Sequence, residues 1–227
     1  MSRRSFIGAS AMGLAASIAC GTVAAVGEER ARRIDLAKGG IGMPPADFEF
    51  ALTGEGESGR WTVVRDPTAE TGIAIEHVSI DPHEDRFPLA IYQPLTAENV
   101  ELSARLKIVS GISQTAGLAF GVRNPASYYA VSLNAFEHRA DLILFSGRTS
   151  KRLDGAEAET GRDRWHALRV TVNDDHFAIA LDGKVLFTAF DRARMKDGRV
   201  ALWTQEDNVT RFDRIEVRVL PPTEWRR

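Results

Sequence analysis

The chain of 227 residues contains one cysteine, Cys20. A single thiol excludes an internal disulfide and gives no partner for a cysteine-based zinc site. There is no basic excess: 29 Lys and Arg stand against 31 Asp and Glu, a formal charge of −2. That balance argues against a nucleic-acid partner, which wants a basic face. After the N-terminus no apolar run is long enough to span a bilayer. P-loop, glycine-rich dinucleotide fingerprint and internal repeat are all missing. His77, His83, His138, His166 and His176 are scattered, with none paired at helical spacing. No metal and no cofactor is therefore implied. The stretch "DPHEDRF" gathers Asp81, His83, Glu84 and Asp85, but lacks the repeated ligands of a calcium loop and reads as a solvated acidic loop.

What is present begins with "MSRRSFIGASAMGLAASIACGTVAA". A basic start, a small-residue apolar stretch and small residues suited to cleavage have the layout of an export signal. The pair Arg3–Arg4 before Ser-Phe-Ile-Gly resembles a twin-arginine signal and predicts a bacterial protein exported already folded, to the periplasm or outside. Two ends fit: cleavage after Ala25, or acylation of Cys20, where Ser17 is a poor match to a lipoprotein signal. Membrane attachment is expected only if Cys20 is lipidated. Without Arg3 and Arg4 the chain carries 27 basic against 31 acidic residues, a charge of −4. Residues 26–46 read as a linker or arm, 47–220 as one domain, and 221–227 as a tail.

Within the domain the apolar pattern has period two. Leu102, Ala104, Leu106 and Ile108 share one face of a strand, and Glu101, Ser103, Arg105 and Lys107 the other. In "HALRVTVNDDHFAIALDGKVLF" three strands are separated by Asn173-Asp174-Asp175 and by Asp182-Gly183, a strong hairpin signal. Further strands are predicted near 47–53, 60–66, 73–80, 88–93, 115–123, 127–136, 142–147, 198–204 and 210–220. Regular spacing without helical periodicity predicts an all-β sandwich or barrel.

Three stretches carry a resemblance: "FGVRNPASYYAVSLNAFEHRADLILF", "RWHALRVTVNDDHFAIALDGKVLFTAFD" and "GRVALWTQEDNVTRFDRIEV". Together, over about Asp47 to Val219, they resemble exported concanavalin A-like jelly-roll domains related to the 3-keto-disaccharide hydrolase domain family. The resemblance implies a jelly-roll β-sandwich of two antiparallel sheets, with a groove on the concave sheet and a lean towards carbohydrate. It also implies arginines at two positions where this chain has Gly121 and Ser132, with Arg123 the candidate replacement. The Glu-x-Asp-x-x-Glu run of the superfamily's glucanases is missing. That weakens a retaining mechanism, which needs two carboxyl groups about 5–5.5 Å apart.

Period two after Tyr128 places Tyr128, Ala130, Ser132 and Asn134 on one face, where a hydroxyl, an amide and an aromatic can line a sugar groove. Trp203, Gln205 and Asp207 form a second line of an aromatic followed by hydrogen-bonding groups. Glu137 is the candidate catalytic carboxylate, provided burial or a second carboxylate raises its pKa. His138, Arg139 and Asp141 read as hairpin residues, and Trp165 as structural. The leading expectation is an exported carbohydrate-binding or interaction module with its ligand near Tyr128, Asn134, Glu137, Trp203, Gln205, Asp207 and Arg123. The alternatives are a glycoside hydrolase acting on a 3-keto or otherwise modified sugar, and a structural envelope protein without a small ligand.

Overall fold

The computed structural model describes residues 31–193 and 197–222; the expected export signal, with Cys20, lies outside the described residues. There are fifteen strands: β1 (Arg32–Arg33), β2 (Phe48–Gly54), β3 (Arg60–Arg65), β4 (Ile73–Val78), β5 (Arg86–Tyr92), β6 (Val100–Ser110), β7 (Thr115–Asn124), β8 (Ser127–Asn134), β9 (Arg139–Ser146), β10 (Thr149–Glu157), β11 (His166–Asn173), β12 (His176–Leu181), β13 (Lys184–Phe190), β14 (Arg199–Thr204) and β15 (Val209–Val219). No helix occurs among the described residues. One sheet runs β13-β12-β11-β6-β15-β4-β3 with β1 added on β15; the other runs β10-β9-β8-β7-β14-β5-β2. This is the two-sheet antiparallel β-sandwich that the resemblance implies, one of the two all-β forms the alternation allows.

Local chemistry sets the register. Asp182 (φ +49) and Gly183 (φ +83) form the tight turn between β12 and β13, so that Leu181 faces Lys184. Both turn residues need positive φ, which Asp tolerates and Gly adopts freely. The predicted apolar face of β6 is buried as expected: Leu102, Ala104, Leu106 and Ile108 are at most 3% exposed. It packs between the sheets with Phe120, Tyr129 and Phe177, whose ring centroids lie 5.3–5.4 Å apart. Burying each such side chain stabilises the fold by about 1.5–3 kcal/mol. Ile34 and Leu36 of the N-terminal arm join the same core.

The charged alternates cover the outward face of the eight-stranded sheet. Asp66 accepts from Lys107 Nζ (2.6 Å) and Arg211 Nη1 (3.0 Å), and Arg211 also reaches Glu76 (2.7 Å). Arg105 pairs with Asp213 (3.3 Å), and Arg218 with Glu101 (3.3 Å). Trp165 lies under the cations of Arg105 and Lys107, at 4.9 and 4.8 Å, and so has the structural role expected of it. The acids there are matched by bases.

Two expectations are corrected. The hairpin after β8 is shorter than read: Ala135 to His138 turn, and Arg139 and Asp141 already belong to β9. The turn closes early because Asn134 Oδ1 accepts the N–H groups of Phe136 (2.9 Å) and Glu137 (2.7 Å), while His138 takes φ +53. Strand β10, "TSKRLDGAE", was not predicted. It is an edge strand with little buried surface, so no apolar alternation marks it.

Candidate functional site

The outward face of the seven-stranded sheet differs from its counterpart. Val131, Leu133 and Leu142 point into the core, while Tyr128, Ala130 and Phe145 meet Leu89, Trp203 and Phe87 in a second apolar cluster on the other side. Above this cluster lie two adjoining hollows of about 550 and 570 Å³, which share Glu84, Asp85, Phe87, Phe145 and Ser150. Together they make one groove across the sheet.

Of the residues expected to bind ligand, Asn134, Glu137 and Gln205 line this groove. Asn134 spends its amide oxygen on the turn, which fixes the side chain and brings exposed Glu137 to the rim. Gln205 Nε2 donates to Glu206 Oε1 at 2.8 Å. The other four are not lining residues. Tyr128 and Trp203 have no exposed surface. Tyr128 Oη lies 2.9 Å from Thr53 Oγ1 and its ring stacks on Phe145 at 4.5 Å, and burial pushes its phenol pKa up. Trp203 stacks on Phe87 at 5.6 Å. Both hold the floor up from beneath, because Phe87 and Phe145 cover them. Asp207 accepts the Ile112 N–H at 2.8 Å and so braces two turns. Arg123 is exposed at the end of β7, away from the groove lining, and does not replace an arginine at 121. Position 121 is a bulge with φ +60, and a Cβ on Gly198 would lie 2.3 Å from its carbonyl carbon. The backbone there suits glycine.

Glu206 was missed, although both its neighbours were singled out. Alternation was carried past Thr204, where the strand ends; Glu206 takes φ +54 and turns into the groove lining. Its backbone is held at both ends by Arg86: Glu206 N–H donates to the Arg86 carbonyl (2.9 Å), and Arg86 Nη1 donates to the Glu206 carbonyl. The Arg86 side chain is fully buried, also donates through Nε to the Glu57 carbonyl, and lies 3.7 Å from Asp81. Burial, with the charges of Asp207 and Glu84, raises the Glu206 pKa against a hydrogen bond from Gln205 that lowers it. Glu84 and Asp85, read as a solvated loop, flank both hollows, and Phe87 falls on the groove face by the same alternation that buries Leu89.

Asp81 is already committed. The Glu57 N–H (2.6 Å) and the His83 imidazole hold its pKa down to about 2. Among the described residues no group of three or more His, Cys, Asp or Glu converges as a metal site would.

Under the same loops, His77 is buried, with Nδ1 3.2 Å from Thr204 Oγ1 and its ring 4.6 Å from Trp61. Burial lowers its pKa from 6.5 to about 4. As pH falls through that window the unfolded chain takes up a proton that the folded chain refuses. Stability is therefore present above 6.5 and lost towards 4, by about 3 kcal/mol in all. His83, whose pKa Asp81 raises, acts above this window, and Asp81 below it. Urea unfolding between about pH 7 and about pH 4 should show the loss, and His77→Gln should flatten it. An unchanged acid limb in that variant would assign the loss elsewhere.

The fold and groove define the class: a concanavalin A-like, jelly-roll β-sandwich with an open face on one sheet. The chain is similar in structure to the cellulose-induced protein Cip1, with TM-score 0.61 and 11% identity over 85% of this chain and 98% of that one. It is also similar to the carbohydrate-binding module CBM66 from Bacillus subtilis, with TM-score 0.58 and 15% identity over 74% and 94%. A Bacillus subtilis protein of unknown function with a galectin-like fold follows, at TM-score 0.55 and 9% identity over 77% and 91%. At such identities the likeness is one of fold. No protein-family model matches the chain, and neither does any curated protein.

Proposed function

We propose that the chain is an exported carbohydrate-binding module whose glycan lies in the groove of the seven-stranded sheet. The observation that carries this reading is the groove itself. It has an apolar floor of half-buried Phe87 and Ile143 over buried Phe145, and a rim of Asn134, Glu137, Gln205 and Glu206. Sugars present C–H faces to apolar surface and hydroxyls to a few fixed polar groups. That one fold neighbour is a carbohydrate-binding module agrees with it. Titration calorimetry against a glycan panel tests the reading: Asn134→Ala with Glu137→Gln should weaken the best ligand about tenfold or more, a loss of about 1.4 kcal/mol. Unchanged affinity would move the ligand elsewhere, and no binding to any glycan would favour a structural envelope role.

A hydrolytic reading is favoured by one observation, the raised pKa of Glu206 in a groove that also holds Glu84, Asp85 and Glu137. A carboxyl whose pKa is raised by its surroundings is the kind of group a general acid requires. Turnover of a 3-keto-glycoside that Glu206→Gln abolishes, with binding kept, would establish it.

We also infer that residues 1–25 direct twin-arginine export. Arg3→Lys with Arg4→Lys should leave the precursor in the cytoplasm. Membrane association that Cys20→Ser abolishes would mark lipidation rather than cleavage after Ala25.

A further inference from the structure

The two outward sheet faces treat their carboxylates differently. On the eight-stranded sheet Asp66, Glu70, Glu76, Glu101, Asp213 and Glu216 each meet an arginine or lysine within 4 Å. In the 570 Å³ lobe of the groove, Glu84, Asp85, Glu137 and Glu206 have no ion-pair partner among the described residues. The fifth acid of that lobe, Asp141, is matched by Arg139 (2.7 Å) and Arg152 (2.6 Å). No cationic side chain lines the lobe; His83 and Arg148 line the other one. At Glu206 burial raises the pKa, and Asp207 and Glu84 add to that rise. The acids are spread round the lobe and do not converge on one point, as a single metal ion would need.

A second observation points to a ligand independently of charge. Ser132 lines the floor of the same lobe and is only 4% exposed, yet its hydroxyl makes no hydrogen bond among the described residues. Buried hydroxyls ordinarily find a partner. The side chain lines the groove, where a ligand can supply that partner.

We propose that this lobe binds an amino sugar, a glycan carrying free ammonium groups, with Ser132 meeting a ring hydroxyl and the unpaired carboxylates meeting the ammonium groups. This rests on the reading of the groove as the glycan site. An ammonium group supplies three donors to carboxylate oxygens, and a charge-assisted bond is roughly twice as strong as a neutral one. The apolar floor of Phe87 and Ile143 suits a pyranose ring better than a peptide chain, whose own polar backbone would meet it.

The test needs no variant: titrate the unaltered chain, in mildly acidic buffer, with a glucosamine oligosaccharide, its fully N-acetylated counterpart and a cello-oligosaccharide of the same length. The glucosamine oligomer should bind at least about tenfold more tightly than either neutral one, and added salt should erode that preference. Glu137→Gln with Glu206→Gln should bring the three ligands within about threefold. Ser132→Ala should weaken the glucosamine oligomer severalfold without shifting the urea midpoint. Equal binding of the neutral oligomers overturns the inference and leaves the groove a sugar site. Failure of all three sugars overturns both. Oligolysine binding as tightly as the glucosamine oligomer overturns the amino sugar in favour of a general cationic partner.

Discussion

Replacing Arg86 with methionine is expected to cost about 3–5 kcal/mol of stability, because a buried charge would be removed from partners that stay buried. The side chain has no exposed surface and donates to the carbonyls of Glu57 and Glu206, with Asp81 3.7 Å away. Methionine fills a similar volume but leaves two carbonyls without donors, while Asp81 keeps the Glu57 N–H and His83. Each unsatisfied buried acceptor costs about 1–3 kcal/mol. Lysine should not rescue it, since a point charge cannot reproduce a planar fork that serves two loops at once. The native arrangement is already imperfect: Arg86 Nη2 is buried without a partner. A second readout is functional. Arg86 ties the loop between β2 and β3 to the turn after β14, so its loss frees Glu206 and Gln205 at the groove wall. Glycan affinity should fall even under conditions where the variant stays folded. A urea midpoint within about 1 kcal/mol of the parent, at equal slope, would show that the loops hold themselves.

The second large effect is expected at Gly117, the third residue of β7, which lies between β8 and β14. A Cβ there would stand 1.9 Å from the Val131 carbonyl oxygen and 3.0 Å from the Ser132 Cα. Both are backbone atoms of a paired central strand, and neither can move without breaking the ladder. Gly117→Ala should therefore cost about 3 kcal/mol or more, the upper end for overpacking a core. Gly161→Ala is the matched control: nothing lies within 4 Å of its Cβ, and a change of about 0.5 kcal/mol or less is expected. Gly117 pairs with Ser132 and Trp203, so the damage should reach the groove floor. Stability near that of the control would mean that β8 gives way more easily than a central strand should.

The fold was legible in the sequence wherever one face of a strand is dry and the other wet. β6, β11 and β12 show that alternation, and Asp182-Gly183 carries its own turn chemistry. β10 was illegible, because an exposed edge strand has no dry face to write an apolar period. The site was legible in part. Asn134, Glu137 and Gln205 were found by type and parity, and they line the groove. Tyr128 and Trp203 were assigned to the right face but the wrong depth. Parity tells which side of a sheet a residue takes; only packing from β5 and β9 tells whether another ring covers it.

Glu206, Arg86 and the unpaired carboxylates mark the same boundary more sharply. By itself the sequence determined an all-β domain, the core faces of its strands and the strand from Tyr128 to Asn134, since these follow from local periodicity. Only the tertiary structure decided which acids are neutralised and which face an open groove. Ion pairs form between residues far apart in the chain, such as Asp66 with Lys107 and Arg211. Charge balance within a site is set by that long-range pairing, which neither composition nor spacing records.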